Sequence, residues 1–260
     1  MSRSVYIVIP ARMNSKRFPA KPLAFINKKM MLQRVWEIAN KVKGVNQVLI
    51  ATDSENLREI AENFGAKVIM TSSSCLTGTD RVAEVASLLG KEEDIFFNLQ
   101  GDAVLTPSWV IQSVIDKMVN DPSTQIATPA VRLENEALQN FLKQKEMGSS
   151  TGTTVVFDLE GKALYFSKLV IPFVREEKRS YLYRHIGLYG YRKDILSKLA
   201  SLKETPLEKL EKLEQLRALE HGIPIQVVEV DYKGRTHASV DQPADIAIVE
   251  ELIEKEGELV

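Results

Sequence analysis

Four basic side chains stand close together directly after a short apolar segment near the start of the sequence. Residues 5–9 (VYIVI) are an unbroken, mostly β-branched run, and Arg12, Lys16, Arg17 and Lys21 follow it. Such a run is typical of a strand buried on both faces of a parallel sheet. Ligands of open α/β sheets bind beyond the carboxyl ends of the strands, so the sequence predicts an anion-binding loop here. A solvated loop whose charges only aid solubility is the alternative.

Two aspartates could complement these cations. Asp102 ends the segment NLQGD (98–102), whose first two residues belong to a second predicted buried strand at residues 95–99. Asp241 precedes a helix that Pro243 would open, which would make Gln242 the N-cap and leave Asp241 free. Mg²⁺ is usually held by one or two carboxylates together with substrate phosphates. Both aspartates are therefore candidate metal ligands, although a turn cap for Asp102 and an Asx-turn for Asp241 remain open alternatives.

Cations, paired carboxylates and a shared sheet edge suit nucleotidyl transfer. An oxygen nucleophile then attacks the α-phosphorus of a nucleoside triphosphate and pyrophosphate leaves, so the protein mainly neutralises charge and aligns the reactants. Arginine would hold the β- and γ-phosphates by a bidentate fork and lysine as a point charge. No activated Ser, Cys or His pair is visible in the sequence, so we expect no covalent enzyme intermediate.

The composition is that of a globular protein with one large core. The chain has 260 residues, 44% of them hydrophobic and 27% charged, and a formal net charge of -1, which argues against a general nucleic-acid binder. Its single cysteine, Cys75, excludes an intramolecular disulfide and a cysteine-cluster zinc site, and is interpreted as a packing residue rather than a nucleophile. The apolar stretch after Arg3 is too short for a signal peptide or a membrane span, so we expect a cytoplasmic protein without membrane insertion.

The elements that must position these residues follow a βαβ rhythm up to about residue 132. Strands are predicted at residues 5–9, 48–51, 67–70, 95–99 and 126–131, and helices at 30–43, 55–63, 80–89 and 108–119. The pattern predicts an α/β fold with a mostly parallel sheet flanked by helices. The glycine-rich dinucleotide fingerprint is missing after the first strand, which disfavours a dehydrogenase.

The second half predicts a smaller antiparallel lobe within a single domain spanning residues 1–260. Strand-like segments at 153–158, 163–167 and 185–192 are too close together for parallel crossovers, so we expect a covering or inserted lobe at about 150–220. Thr205, Pro206 and Glu208 predict a helix start with a capping box. Leucines at every third position from Leu207 to Leu219 predict that the helix continues to Leu219. This apolar stripe should pack either against the protein core or against a second subunit. A strand at 225–230 and a final helix complete the chain.

Eight segments of the chain form a recognisable set. They are IPARMNSKRFPAKPL (9–23), ATD (51–53), TGTDR (77–81), NLQGD (98–102), ALYFS (163–167), RHIGLYGYR (184–192), LEKLEQLRAL (210–219) and VDQP (240–243). In order and spacing they resemble the CMP-Kdo synthetases (3-deoxy-manno-octulosonate cytidylyltransferases). The resemblance spans nearly the whole chain and implies the Rossmann-like fold of nucleotide-diphospho-sugar transferases, CTP and an acidic 3-deoxy sugar as substrates, Mg²⁺ as cofactor and a homodimer.

The resemblance also implies roles for individual residues. It implies that the CTP phosphates are bound by Arg12, Ser15 and Lys21 with Arg17 close by, and that cytosine is read around Thr77, Gly78 and Arg81. It implies Asp102 and Asp241 as Mg²⁺ ligands, which places them with Arg12 and Lys21 in the catalytic set. It implies that the sugar is held by Gln100, which also adjoins the nucleotide, and by His185, Glu214 and Gln215, with Tyr189 and Arg175 as further candidates. From the residues themselves, His185 would be a strand histidine with a satisfied hydrogen bond, and Asp53 either a helix cap or a substrate contact.

The sequence departs from the family pattern mostly where the sugar is expected. Ala103 and Val104 replace a Glu-Pro pair, Gly152 lies in a segment that differs from the usual Asn-Pro-Asn motif, Lys168 replaces an arginine and Gln242 a threonine or serine. Substrate identity is therefore left between Kdo and a related acid sugar such as 8-amino-Kdo. A catalytically silent nucleotide-binding paralogue is a third alternative, because a fold does not fix a function.

Overall fold

The computed structural model describes residues 3–14, 17–92, 94–149, 151–173 and 182–260, and builds them around one large sheet. The strands are β1 (Val5–Pro10), β2 (Phe25–Ile26), β3 (Lys29–Met30), β4 (Gln47–Thr52), β5 (Lys67–Met70), β6 (Ile95–Asn98), β7 (Ile126–Arg132), β8 (Thr153–Phe157), β9 (Ala163–Ser167), β10 (Tyr183–His185), β11 (Tyr189–Arg192) and β12 (Ile225–Glu229). The helices are α1 (Met31–Asn40), α2 (Glu55–Asn63), α3 (Gly78–Leu89), α4 (Ser108–Asn120), α5 (Asn135–Glu146), α6 (Lys193–Ser201), α7 (Pro206–Glu211), α8 (Gln215–Glu220) and α9 (Asp245–Glu256).

The sheet joins a parallel half to an antiparallel half. Its order is β5-β4-β1-β6-β11-β7-β10-β8-β9, with β12 beside β7, while β2 and β3 pair separately. The strands β5, β4, β1 and β6 pair in parallel, whereas β8 to β11 pair antiparallel with their neighbours, apart from the parallel pair of β7 and β12. The predicted α/β class with antiparallel strands in the second half is confirmed. The antiparallel strands extend the same sheet, and their separation as a covering lobe stays a prediction.

Strand β1 shows why the sequence forms this sheet. Val5, Ile7 and Ile9 pack into the hydrophobic core on one face, and Val8 packs into the core on the other. Alternate side chains of a strand point to opposite faces, so a strand that is apolar at every position must be covered on both sides. The carboxyl ends of β1 and β6 therefore emerge together between two layers of helices.

The strand predicted at residues 185–192 is divided by a bulge. His185 lies opposite Ala130 and Gly190 lies opposite Ala127, so four residues separate the two positions on this side where two separate them on β7. The hydroxyl of Thr128 donates to the carbonyl oxygen of Leu188 at 2.7 Å inside this bulge. A bulge of this kind redirects the side chains that follow it, and here it turns Tyr189 toward the cavity described below.

The prediction of a single long helix from Thr205 through Leu219 is wrong, because the structure has two short helices there. The capping box of Thr205 and Glu208 and the first position of Pro206 are confirmed, but Lys212 adopts φ 53° and ends α7 before α8 begins. An ion pair between the two short helices stabilises this break: the Arg217 guanidinium donates to both carboxylate oxygens of Glu208, at 2.8 and 2.5 Å. The leucine stripe packs mainly inside the protein, with Leu210 as its 81% exposed member.

Within the described part of the chain, no helix combines the length and the apolar content needed to cross a lipid bilayer.

Candidate active site

The predicted cations and acids line one cleft at the carboxyl ends of β1 and β6. We call it the cationic cleft; its volume is about 260 Å³. It brings together nine of the residues predicted from the sequence, namely Arg12, Arg17, Lys21, Thr77, Gly78, Arg81, Gln100, Asp102 and Asp241. Ser15 and Lys16 of the same loop, and Arg175, lie outside the described residues.

Both aspartates of the cationic cleft are paired with cations of the opening loop. Lys21 donates from Nζ to Asp102 Oδ2 at 2.5 Å and to the Val240 carbonyl oxygen at 2.8 Å, which ties the first acid to the backbone beside the second. Arg17 donates from Nη2 to Asp241 Oδ1 at 2.9 Å. The Lys21 pair is enclosed and the Arg17 side chain is 71% exposed, so water screens the second pair far more than the first.

The aspartate pair is suited to hold Mg²⁺ together with a phosphorylated substrate. The contacts above use Oδ2 of Asp102 and Oδ1 of Asp241, and no described residue donates to the other oxygen of either carboxylate. No cluster of three or more His, Cys, Asp or Glu side chains with metal-binding geometry occurs among the described residues. Two carboxylates with free oxygens in a cleft fit the usual Mg²⁺ site, in which substrate and water supply the remaining ligands.

Asp241 is oriented by a carboxylate that the sequence reasoning missed. Oδ2 of Asp245 accepts hydrogen bonds from the backbone N–H groups of Asp241, at 2.7 Å, and Gln242, at 2.9 Å. Helix α9 consequently starts at Asp245, and the expectation that Pro243 opens it with Gln242 as N-cap is wrong. The spacing of Asp241 and Asp245 was the available signal, because short acidic side chains bind the backbone next to a helix start.

The N-terminus of α3 forms the opposite wall of the cationic cleft. Thr77 and Asp80 make a capping box, and the Arg12 guanidinium donates to the Leu76 carbonyl oxygen at 3.2 Å. A Cβ on Gly78 would lie 3.2 Å from Cγ of Pro10 and 3.5 Å from the Gln100 amide. Gly78 is therefore packed against the side chains of Pro10 and Gln100, and a larger residue here would crowd them.

Arg81 is held as a fixed buried cation beneath this wall. Its side chain is 3% exposed, donates to the Thr71 hydroxyl and lies 3.5 Å from Asp53 Oδ2. The cap of α2 is Ser54, whose hydroxyl accepts from Leu57 N, so the helix-cap interpretation of Asp53 is wrong. Cys75 also lines the cleft, but burial and the Glu84 carboxylate raise the pKa of its thiol to about 11, so it is protonated at neutral pH and unsuited as a nucleophile.

A second cavity, the inner pocket, adjoins the cationic cleft. Its volume is about 170 Å³, and Gly78 and Gln100 line both spaces. The predicted sugar residues Tyr189, Glu214 and Gln215 line it, together with Asn98 and Tyr191, which the prediction missed. Burial raises the pKa of the Glu214 carboxyl. The buried amide nitrogens Asn98 Nδ2 and Gln215 Nε2 have no hydrogen-bond partner among the residues that the structure describes, so the inner pocket offers both donors and an acceptor to a hydroxyl-rich ligand.

His185 supports the inner pocket without lining it. Its ring lies between Phe166 and Tyr189, with centroid distances of 4.9 and 5.5 Å. The Thr128 hydroxyl has one proton, which it gives to the Leu188 carbonyl oxygen, so it accepts from His185 Nε2 at 2.8 Å. Burial lowers the pKa of His185 to about 3. This geometry is that of a neutral strand histidine with a satisfied hydrogen bond, which positions Tyr189.

We expect this buried histidine to make the protein less stable in acid. The unfolded chain binds a proton at His185 below pH 6.5 and the native protein does so only near pH 3, so the free energy of unfolding falls as the pH drops between these values. His185→Gln has no such loss. Below pH 6, its free energy of unfolding relative to that of the wild type should increase by about 1 kcal/mol for each pH unit of acidification. Urea unfolding at pH 7, 6 and 5 measures it. Parallel curves for the two proteins would contradict the buried neutral state.

The departures from the family pattern at Ala103, Val104, Gly152 and Lys168 occur in well-packed or hydrogen-bonded surroundings, whereas that at Gln242 has no structural explanation. Ala103 and Val104 are buried, at 7% and 1% exposure, so they pack the loop after Asp102 into the core. Gly152 has φ +78°, and a Cβ there would lie 2.7 Å from the Phe141 ring. The contacts of Lys168 are made by its backbone: its N–H group donates to Glu211 Oε2 at 2.9 Å, and its carbonyl oxygen accepts from Lys145 Nζ at 2.6 Å.

Comparison with known proteins connects this geometry to one family. The sequence pattern of the family described as "Cytidylyltransferase" matches residues 6–227. The chain is 50% identical over 258 residues to the 3-deoxy-manno-octulosonate cytidylyltransferase of Maricaulis maris (strain MCS10), covering 99% of this chain and 100% of that protein. It is also 40% identical over 249 residues to the 8-amino-3,8-dideoxy-manno-octulosonate cytidylyltransferase of Shewanella pealeana (strain ATCC 700345 / ANG-SQ1), covering 95% and 97% of the two chains.

A solved structure shows the same similarity in three dimensions. CMP:2-keto-3-deoxy-manno-octonic acid synthetase, solved in complex with CTP, superposes with a TM-score of 0.86 at 35% identity and covers 97% of this chain and 99% of its own.

Proposed function

The chain belongs to the cytidylyltransferase family, among the 3-deoxy-manno-octulosonate cytidylyltransferases, and from this premise we propose that it forms CMP-Kdo and pyrophosphate from CTP and Kdo with Mg²⁺. The observation that carries the proposal is the cationic cleft, where three loop cations and two aspartates share one space with an adjoining polar pocket. We further propose that the product serves lipopolysaccharide or capsule assembly, and that the enzyme works as a homodimer.

The opening loop would bind the triphosphate by exchanging partners. Lys21 and Arg17 contact Asp102 and Asp241 in the structure, and phosphate oxygens of CTP would replace these carboxylates as their acceptors. The exchange leaves Asp102 and Asp241 without counterions at the moment when the polyanion enters. Arg12, which contacts a carbonyl oxygen, would turn to the phosphates at a smaller electrostatic cost, since it breaks no ion pair.

Asp102 and Asp241 would then hold Mg²⁺ against the phosphates. Held there, Mg²⁺ would make the anomeric hydroxyl of the sugar a better nucleophile and would stabilise the leaving pyrophosphate. The sugar oxygen forms a bond to the α-phosphorus, the bond from that phosphorus to the bridging oxygen of the β-phosphate breaks, and the hydroxyl proton passes to solvent. The chain's own contribution is alignment and charge neutralisation. Trapping of a nucleotidylated protein would contradict this direct transfer.

We assign the two substrates to the two spaces that Gln100 lines. The cytosine would lie against the close-packed wall at Thr77 and Gly78, above Arg81, and the sugar would enter the inner pocket. There Glu214, Gln215 and Asn98 would pair with its hydroxyl groups, while His185 would act through Tyr189. The unpartnered amide nitrogens of the inner pocket support this assignment.

An 8-amino sugar is the second candidate, because a relative at 40% identity carries that name. The buried Glu214 carboxyl in the inner pocket could accept from an amine as well as from a hydroxyl group. A silent paralogue is disfavoured by the retention of both aspartates in one cleft with cations.

A product analysis tests the proposal. The protein is incubated with CTP, Mg²⁺ and Kdo, 8-amino-Kdo or a sialic acid in parallel, pyrophosphate release is followed, and the adduct is weighed by mass spectrometry. We expect the mass of CMP-Kdo and the fastest release with Kdo. Faster release with 8-amino-Kdo would select the second candidate. Binding of CTP by calorimetry without release from any of the sugars would favour the silent paralogue.

A further inference from the structure

Four buried polar atoms have no hydrogen-bond partner among the described residues, and we call the side chains that carry them the Arg184 cluster. Its members are Thr106, Arg184, Tyr232 and His237, and the unpartnered atoms are Oγ1, Nε, the hydroxyl and Nδ1 respectively. Thr106 follows Asp102 by four residues and His237 precedes Asp241 by four, whereas Arg184 lies on β10. The cluster therefore joins the two loops that carry the aspartates to the antiparallel half of the sheet.

One ring contact and the electrostatic effects on two pKa values indicate that these groups are neighbours. The rings of Tyr232 and His237 meet edge to face with centroids 5.8 Å apart. The Thr106 hydroxyl is close enough to lower the pKa of Tyr232, which burial raises, although the pair does not reach hydrogen-bond geometry. The Arg184 charge acts on both rings: it lowers the pKa of Tyr232 and, after burial itself, that of His237 to about 3.

The cluster contains a largely buried cation without an acid. Burial lowers the pKa of Arg184, and no described carboxylate forms an ion pair with it. A buried charge without a partner is strongly unfavourable, and native proteins leave few buried polar atoms unpaired. One orphan atom would suggest one water molecule. Four in one place, with a guanidinium among them, indicate a missing acceptor that also carries negative charge.

The donor set defines the chemistry of that acceptor. The guanidinium offers a rigid fork of N–H groups, and the tyrosine and threonine offer one O–H each. With His237 neutral, the cluster has a single positive charge, which a singly charged ligand balances. A carboxylate has two oxygens with about four acceptor positions and pairs with arginine by two parallel bonds. Arg184 and His237 are each only partly buried as whole residues, which leaves a route from the surface.

We propose that Arg184, Tyr232, His237 and Thr106 form a binding site for one carboxylate group, distinct from the cationic cleft and the inner pocket. Successive side chains of β10 point to opposite faces of the sheet, so Arg184 lies on the face away from His185 and the inner pocket. A sugar held in the inner pocket cannot reach Arg184, and the expected ligand is a free small carboxylate. The bound group bridges the loop after Asp102 and the loop before Asp241, so it stabilises the relative position of the two aspartates.

Thermal unfolding without nucleotide tests the site. Sodium formate and Kdo are titrated separately at constant ionic strength into the wild type, Arg184→Gln, Tyr232→Phe and the control Arg58→Gln, whose arginine pairs with Glu55 on the surface. Without ligand, we expect Arg184→Gln to unfold about 2–4 °C higher than the wild type, because an unpaired buried charge is gone. The formate-induced rise in Tm should be lost in Arg184→Gln, reduced in Tyr232→Phe and unchanged in Arg58→Gln.

The two ligand titrations separate this site from the inner pocket. A rise with formate that Arg184→Gln abolishes supports the site, whereas Kdo, which would bind in the inner pocket, should raise Tm equally in the wild type and in Arg184→Gln. No rise with formate, equal rises with formate in the two proteins, or a Kdo-induced rise that Arg184→Gln abolishes would overturn the proposal. So would an Arg184→Gln protein that is less stable than the wild type without ligand. Because no measurement uses CTP, these outcomes are independent of whether the protein makes CMP-Kdo.

Discussion

Asp102→Asn is expected to reduce turnover by about two to three orders of magnitude, the size of effect seen when one preorganised electrostatic group is removed. The side chain keeps its shape but loses the negative charge that would hold Mg²⁺. Its position in the cationic cleft, with one oxygen bound to Lys21 and no described donor at the other, makes the charge more important than the packing. Folding and CTP affinity should change little, and steady-state rates of pyrophosphate release measure the loss.

Asp116→Asn is the matched control for this substitution. Asp116 is exposed on α4, where it accepts from Gln112 at 2.8 Å, and it should behave as the wild type. The apparent affinity for Mg²⁺ should fall together with turnover in Asp102→Asn. Near-normal turnover in that variant would show that Asp102 is not a metal ligand.

Lys21→Ala is expected to weaken CTP binding by about tenfold to hundredfold, while CMP binding changes little. A charged hydrogen bond contributes about 1.5–3 kcal/mol, and only the triphosphate carries the β- and γ-oxygens that Lys21 would reach. The enclosed Lys21 also bridges Asp102 and the Val240 carbonyl oxygen, so the variant should lose turnover beyond its loss of affinity. Calorimetry with CTP and with CMP measures the two affinities, and steady-state rates at saturating CTP measure the turnover.

The control for Lys21→Ala is Lys67→Ala. Lys67 begins β5 and is exposed, so it lies at the amino end of a parallel strand, away from the sheet edge that forms the cationic cleft. Its removal should leave both affinities unchanged. Equal losses of CTP and CMP affinity in Lys21→Ala would mean that the lysine does not contact the β- or γ-phosphate.

The parallel half of the fold could be predicted from the sequence because local pattern and tertiary environment agree there. The strand at 67–70 and the helix at 55–63 have the predicted bounds, and the apolar run of β1 is buried on both faces. Helices α5 and α6 were missed. The failures came where a distant contact decides the backbone: the Glu208–Arg217 pair ends α7, and the Thr128 hydroxyl stabilises the bulge at Leu188.

The candidate site divides in the same way. Motifs identified which residues gather in the cationic cleft, since strand ends at one sheet edge meet whatever the loops between them do. They could not show that Lys21 and Arg17 neutralise the two aspartates, nor that Ser54 rather than Asp53 caps α2. The Arg184 cluster was invisible for the same reason, because its members come from three separate segments.

The most direct test of the account is a crystal of the protein grown with CTP and Mn²⁺ in place of Mg²⁺, measured at a wavelength where manganese scatters anomalously. The account predicts an anomalous peak bound by carboxylate oxygens of Asp102 and Asp241, with the triphosphate against Arg12, Arg17 and Lys21. A triphosphate bound elsewhere, or a cleft in which Lys21 and Arg17 still hold both carboxylates and no manganese binds between them, would contradict it.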